Sequence, residues 1–253
     1  MSAETRDADK QRAVLQAEFD RAARSFSERT KRRFDHMDVV SFSRVRPGAR
    51  VLEVGAGTGN FLELFQARAE RLIAVDLTFG MLTQGRSEHP HHLQVMADGA
   101  KLPFDSRSFD LVACAQVLHH VWEPVPLLKE MRRVVRPEGR VLIVDQLAPE
   151  SYEKTAFMNQ MEALRDPSHA TSRAPSTMRV IVGAAGLEIV DEKIVGKDNR
   201  LSDWMWPSEY PAERIEAVRD FIGKFGAETG MEWRKEGDDW VYSRERMMIL
   251  AKR

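Results

Sequence analysis

Residues Val51-Leu52-Glu53-Val54 form a short apolar run that stops abruptly at Gly55-Ala56-Gly57-Thr58-Gly59-Asn60. Few folds accept a buried strand that ends in three alternating glycines. Glycine is required where the backbone must take positive φ, or where a ligand must approach closer than a Cβ allows. The expected unit is therefore a strand, a tight turn that cradles a ligand, and a helix over 59–69. The spacing is G-x-G-x-G. Asn60 stands where a dinucleotide fingerprint would carry its third glycine, which weighs against a nicotinamide cofactor. A purely structural turn is the plain alternative.

The rest of the chain bears on that choice. Strand-like runs over 72–75, 93–97, 109–115 and 140–145 alternate with helix-like runs over 79–86 and 124–135. Such alternation predicts an α/β fold, a Rossmann-like doubly wound sheet that is mainly parallel with helices on both faces. Residues 12–40 carry apolar side chains at helical spacing, so residues 1–46 are expected to form an N-terminal helical cap and 47–150 the ligand-binding core. Beyond Pro149 helical runs at 152–164, 177–185 and 212–228 interrupt strands at 188–195 and 241–251. Residues 151–253 are thus expected to supply the last strands together with helical cap insertions.

Two aspartates follow the glycine turn at telling positions. Asp76 ends the second strand roughly 20 residues on, where a carboxylate can accept from two ribose hydroxyls. Asp98, before Gly99 and Ala100, can accept from an adenine amino group while the nearby amides meet the ring nitrogens. Leu77 and Met81 can wall that ring, and Gln116, after the fourth strand, would lie at the carboxyl edge of the sheet. An exposed loop aspartate and a turn former are the plain alternatives for Asp76 and Asp98.

Five ordered motifs between Val51 and Ala148 resemble class I S-adenosylmethionine-dependent methyltransferases of the ubiquinone and menaquinone biosynthesis type. They are Leu52-Glu53-Val54-Gly55-Ala56-Gly57-Thr58-Gly59, the stretch from Ala97 to Phe104, Phe109-Asp110-Leu111-Val112, Leu118-His119-His120-Val121, and the segment from Met131 to Arg140. The resemblance implies a seven-stranded sheet with its last strand antiparallel and S-adenosyl-L-methionine as cofactor, with S-adenosyl-L-homocysteine as its product. It also implies cofactor contacts at Glu53, Gly55, Ala56, Gly57, Asp76, Leu77, Asp98, Gly99, Ala100 and Gln116. Two residues depart from the pattern. Glu138 replaces a common second glycine, and Phe26 stands where many relatives carry a tyrosine.

The acceptor is less legible. His119 and His120 follow the cofactor-edge strand, and His120 is the expected general base. His169, in Leu164-Arg165-Asp166-Pro167-Ser168-His169, is a second candidate, with Arg165 beside it to hold an anion; a loop tied by an Arg–Asp ion pair is the alternative. Trp204, Met205, Trp206, Pro207 and Tyr210 read either as an apolar lid or as the small core of the insertion. His89-Pro90-His91-His92 has no carboxylate or cysteine at ligand spacing, so no metal is expected.

A small organic methyl acceptor is the expected partner, with oxygen or activated carbon favoured over nitrogen. A cofactor-binding protein without transfer activity and a nicotinamide oxidoreductase are the competing readings. The 38 basic and 39 acidic residues nearly cancel, leaving no global field to draw a nucleic acid or an anionic membrane. The lone Cys114 leaves no intramolecular disulfide to form, and the polar N-terminus lacks a signal peptide's apolar core, so a cytoplasmic setting is expected. Oligomeric state is not legible.

Overall fold

The structure, a computed structural model, describes residues 3–205 and 210–253, with side chains from residue 13 onward. Its strands are β1 (Ala49–Val54), β2 (Ala69–Asp76), β3 (Leu93–Met96), β4 (Phe109–Ala115), β5 (Val135–Gln146), β6 (Glu188–Arg200), β7 (Arg234–Glu236) and β8 (Asp239–Lys252). Along the sheet the order is β3-β2-β1-β4-β5-β8-β6, with β7 paired to β8 at the side. Neighbours from β3 to β5 pair in parallel, while β8 runs antiparallel to both β5 and β6. The antiparallel last strand agrees with expectation. The strand number does not: the sheet has eight strands where seven were expected, because the short β7 folds back on β8 as a hairpin.

The helices are α1 (Ala3–Thr30), α2 (Val39–Ser43), α3 (Phe79–Glu88), α4 (Pro124–Val134), α5 (Tyr152–Arg165), α6 (Pro175–Ala184), α7 (Leu201–Trp204) and α8 (Ala212–Phe225). The central strands are buried on both faces, as parallel strands covered by crossovers must be. One face packs Leu128, Met131 and Val182 against Val112, Ile143 and Ile249, and the other packs Phe34, Met37 and Phe65 against Val51, Leu142 and Leu250. A third cluster, with Met158, Met161, Val218, Ile222 and Tyr242, is the core of the segment after β5.

The helix expected over 59–69 is absent. A single 3₁₀ turn, Leu62–Phe65, stands in its place. Length explains this. The nine residues 60–68 must return past the six-residue β1, a span of about 20 Å. As an α-helix they would cover only about 14 Å, and as a 3₁₀ coil about 18 Å. No described helix is long and apolar enough to cross a membrane.

Candidate active site

A cleft of ≈ 1500 Å³ opens at the carboxyl ends of β1, β2, β4 and β5, and its lining includes every residue singled out above as cofactor-binding or catalytic. The glycine turn forms its floor. Gly55 (φ 71°) and Gly57 (φ 55°) both need the left-handed conformation, yet they do different work. A Cβ on Gly55 would lie 2.5 Å from Val117 Cγ2, so that glycine serves close packing of the turn on the β4 loop. A Cβ on Gly57 would meet nothing nearer than Phe26 at 3.6 Å and Met81 Sδ at 3.9 Å, so that glycine keeps cleft space open.

Asp76 ends β2 beneath this turn. Its Oδ2 accepts the Gly57 N–H at 2.7 Å and its Oδ1 the Thr78 N–H at 2.8 Å. Burial raises its pKa, and those backbone bonds oppose the rise. Asp98 Oδ1 accepts the Ala100 N–H at 2.9 Å, fixing the turn that carries Gly99. Leu77 presents its carbonyl to Gln16 Nε2 at 3.0 Å, which ties α1 to this rim.

Two neighbouring groups hold unspent polar capacity. Glu53 is buried, its pKa well raised by burial and by Asp76 against a bond from the Leu62 N–H, and its Oε2 has no hydrogen-bond partner. Gln116 sits at φ 59°, strained for a residue with a Cβ, and its buried Nε2 is likewise without a partner. An acceptor and a donor facing one cleft, each costly to leave unpaired, suit a zwitterionic ligand. Both are among the cofactor contacts that the resemblance implies.

Three imidazoles close the next stretch of wall. His119 Nδ1–H donates to Asp145 Oδ1 at 2.6 Å, and Asp145 also accepts the N–H groups of Leu118 and Gln146. Burial would raise the Asp145 pKa, but His119 and these donors outweigh it and lower it. His120 lies 4.1 Å from His119 ring to ring, with Nδ1 3.1 Å from both the carbonyl and the hydroxyl of Ser168. Burial, then the charge of His119, pulls its pKa to about 4. His169 Nε2 lies 2.9 Å from Asn159 Oδ1, which also accepts the Ser172 N–H. That second bond fixes the amide's orientation, so Nε2 carries the proton and the buried Nδ1 is a bare acceptor without a partner. Burial brings the His169 pKa to about 3.

Asp145 and Arg173 were not anticipated from sequence. Asp145 reads only as the end of a strand. Arg173 donates to the carbonyls of Leu118, Val121 and Trp122 and so holds the histidine loop from behind. A carboxylate at a strand terminus next to a His-His pair was the available signal for the first; none marked the second.

The 164–169 segment shows the ion pair read as its plain alternative and also faces the cleft. Arg165 pairs with Glu162 at 3.2 Å and lies 3.6 Å from Asp166, yet it also lines the cleft. The guanidiniums of Arg165 and Arg244 each lie 4.6 Å from a Trp204 ring centroid, and Met205 is buried in the third cluster. Tyr210 lines the cleft and its hydroxyl accepts from Arg165 at 3.1 Å; Trp206 and Pro207 lie outside the described residues.

At His89-Pro90-His91-His92 the premise of the metal reading changes. The missing carboxylate arrives from the 3₁₀ turn, where Glu63 Oε2 lies 2.8 Å from His91 Nε2, 3.0 Å from His92 Nε2 and 3.3 Å from His89 Nδ1. His91 and His92 hydrogen-bond this oxygen, while His89 Nε2 lies 3.1 Å from Asn60 Oδ1 instead.

The N-terminal helix also reaches the cleft. Phe26 packs edge-on to Phe19 at 5.7 Å, which in turn meets the edge of His120 at 5.2 Å. At this point of the cleft α1 presents aromatic edges, while Glu18, Arg21 and Arg29 of the same helix also line it.

The sequence profile of the family described as "Methyltransferase domain" matches residues 52–143. The chain is 30% identical over 187 residues to the uncharacterized methyltransferase YcgJ of Bacillus subtilis, covering 71% of this chain and 73% of that protein. The crystal structure of YcgJ superposes with a TM-score of 0.75 at 23% identity, over 85% of this chain and 95% of that one. A demethylmenaquinone methyltransferase from Renibacterium salmoninarum is 37% identical over 99 residues, 39% of this chain and 42% of that enzyme. A phosphoethanolamine N-methyltransferase 2 from Haemonchus contortus, solved with S-adenosyl-L-methionine, shares the fold at a TM-score of 0.60 and 13% identity, over 87% of this chain and 52% of that one.

Proposed function

The chain belongs to the class I S-adenosylmethionine-dependent methyltransferases of the ubiquinone and menaquinone biosynthesis type, and from that premise we propose that it methylates a small organic acceptor at oxygen or an activated carbon. The observation that carries this reading is the convergence on one cleft of an open Gly57 cradle, the Asp76 and Asp98 carboxylates, and the unpartnered Glu53 and Gln116 atoms. They suit ribose, adenine and the amino-acid end of S-adenosyl-L-methionine. When bound, that cofactor supplies an electrophilic methyl group on a sulfonium.

The chain's own part is placement. Holding an acceptor in line and excluding water lowers a substitution barrier by about 7 to 11 kcal/mol, whereas a general base typically adds about 10²- to 10⁴-fold in rate. Phe19 and Phe26 on α1 keep water from the cleft, and Asn60, in place of a third fingerprint glycine, ties α1 down through Nδ2 to Ser27 and Thr30. For an acceptor that carries a proton, His119 Nε2 is the fitting base, because ionised Asp145 fixes the tautomer and supports the positive charge that forms. His120 and His169, the candidates read from sequence, face the same cleft and are held neutral by burial. His169 Nδ1 is the second site able to take a proton.

In this reading residues 1–46 cap a 47–150 cofactor core, residues 151–253 supply the remaining strands with helical cap insertions, and the buried lone Cys114 fits a cytoplasmic setting. Calorimetric titration with S-adenosyl-L-homocysteine and with NAD tests the assignment. Micromolar binding of the former and none of the latter is expected, and binding of NAD alone would overturn it.

A further inference from the structure

One part of the cleft wall holds more positive charge than its surroundings neutralise. Arg33, just after α1, Arg165 on α5, and Arg244 and Arg246 on β8 all line it. The carboxylates within reach are already engaged. Glu162 uses one oxygen for Arg244 and the other for Arg165, Asp166 takes the N–H and O–H of Ser168, and Asp145 is engaged by His119. Arg33 and Arg246 are left over. Among the described residues neither side chain has a hydrogen bond or an ion pair, the Arg33 guanidinium stacks over Phe26, and the buried Nε of Arg246 has no partner.

Their surroundings make this costly. Arg33 is pulled down to about 9 by burial and by the charges of Arg246, Arg29 and Arg165, and no carboxylate opposes them. Burial and Arg244 bring Arg246 to about 10, with weaker opposition from Asp145 and Glu162. A guanidinium does not lose its proton near neutrality, so buried Arg246 without a counter-ion is electrostatically costly, and half-buried Arg33 adds like charge to the same wall. An anion that displaces water there would remove it, and the planar fork suits a two-oxygen partner.

We infer that the methyl acceptor is an organic anion whose carboxylate or phosphate group is held between Arg33 and Arg246. This deepens the methyltransferase reading and rests on it. The rival source of negative charge is the cofactor's own carboxylate. Position argues against it: Arg246 stands opposite Gln146 on β8, three strands from the glycine turn of β1, or about 14 Å at ~4.8 Å per strand. The aromatic side chain of Tyr210 on the same cleft suits the unsaturated body of such an acid.

The test is calorimetry on protein saturated with S-adenosyl-L-homocysteine, using benzoate, inorganic phosphate and benzamide, the neutral isostere of benzoate. Benzoate or phosphate is expected to bind at least tenfold more tightly than benzamide, the preferred anion telling carboxylate from phosphate. Arg246→Gln and Arg33→Gln should each weaken that anion tenfold or more, with homocysteine-product affinity unchanged. Two variants on different elements guard against misfolding of one, and Arg246→Gln should unfold at no lower temperature than the parent because it deletes an unpaired buried charge. Benzamide binding as well as benzoate, neither anion binding, or anion affinity within twofold of the parent in both variants would overturn the inference. So would a parallel loss of homocysteine-product affinity, which would assign the arginines to the cofactor carboxylate. If the parent fails to bind that product at all, the methyltransferase reading itself falls.

Discussion

At the scale of single residues, Gly55 and Gly57 have the same hand of backbone but opposite surroundings, so the same substitution should separate fold from function. Gly55→Ala drives a Cβ to 2.5 Å from Val117 and adds a left-handed strain of roughly 1 to 2 kcal/mol. At ~2 to 4 °C per kcal/mol for a chain of this size, its thermal midpoint should fall by several degrees. Gly57→Ala carries similar strain without the clash, and its methyl instead enters the cradle. Calorimetry should show its product-cofactor affinity falling more than tenfold with a smaller loss of midpoint; the reverse ranking would mean that Gly55, not Gly57, borders the ligand. Asp76→Ala removes an acceptor and orphans the Gly57 and Thr78 amides. It should weaken product-cofactor binding by about 1 to 3 kcal/mol, and unchanged affinity would place the ribose elsewhere.

At the scale of elements, α1 is held to the core by polar contacts. Asn60 reaches Ser27 and Thr30, Ser27 donates to Glu88, the Gly80 N–H donates to Asp20, and Gln16 reaches the Leu77 carbonyl. Asn60→Gly cuts the central tie. Limited proteolysis should then cleave within α1 several-fold faster, and the product cofactor should slow the cut; an unchanged rate would show that the flanking contacts suffice. The same elements show what the sequence discloses. The central strands were legible because parallel strands buried on both faces read as unbroken apolar runs. The last strand was legible because Met247 to Ala251 form an unbroken apolar run, while Tyr242, Met248 and Leu250 share one face. Strand alternation also put Arg244 and Arg246 on that otherwise apolar face, an unused signal. The helix over 59–69 failed since apolar residues at 61, 62 and 65 suit α and 3₁₀ spacing alike, and only the distance back to β2 decides. Arg234-Lys235-Glu236 has no apolar pattern, so β7 was invisible. The cofactor residues were legible because a short strand–turn unit places them. The Asp145–His119 pair and the Glu63 cluster join residues 26 to 29 apart in sequence, and pairing across the fold leaves no local mark.

At the scale of the whole molecule, the buried histidines couple folding to pH. Unfolded, an imidazole titrates near 6.5. Folded, His120 and His92 are held to about 4 and His169 to about 3, in each case chiefly by burial. Between those values the unfolded chain binds more protons than the native one, so stability must fall as pH falls. The cost starts below pH 6.5 and is complete only once pH passes the folded values. Each site contributes up to about 1.4 kcal/mol per pH unit in that window, so three together can remove several kcal/mol by pH 4.5, a large part of a typical total of about 5 to 15. Glu53 and Asp76, raised by burial, act in the opposite sense, since the native chain takes up their protons first, whereas the paired carboxylates act later. Glu162, drawn to about 2 because Arg244 and Arg165 outweigh its burial, keeps its stabilising charge until pH falls below its unfolded value near 4.5. Urea unfolding at steps from pH 8 to pH 4 should therefore show a plateau above 7 and a steep decline from about 6.5. The His120→Gln, His169→Gln double variant should flatten the decline by about two thirds while leaving the acid limb below pH 4.5 in place. A parent whose stability is constant from pH 7 to pH 5 would show that these imidazoles reach water, and that the cleft wall they form is not the dry surface a sulfonium methyl donor requires.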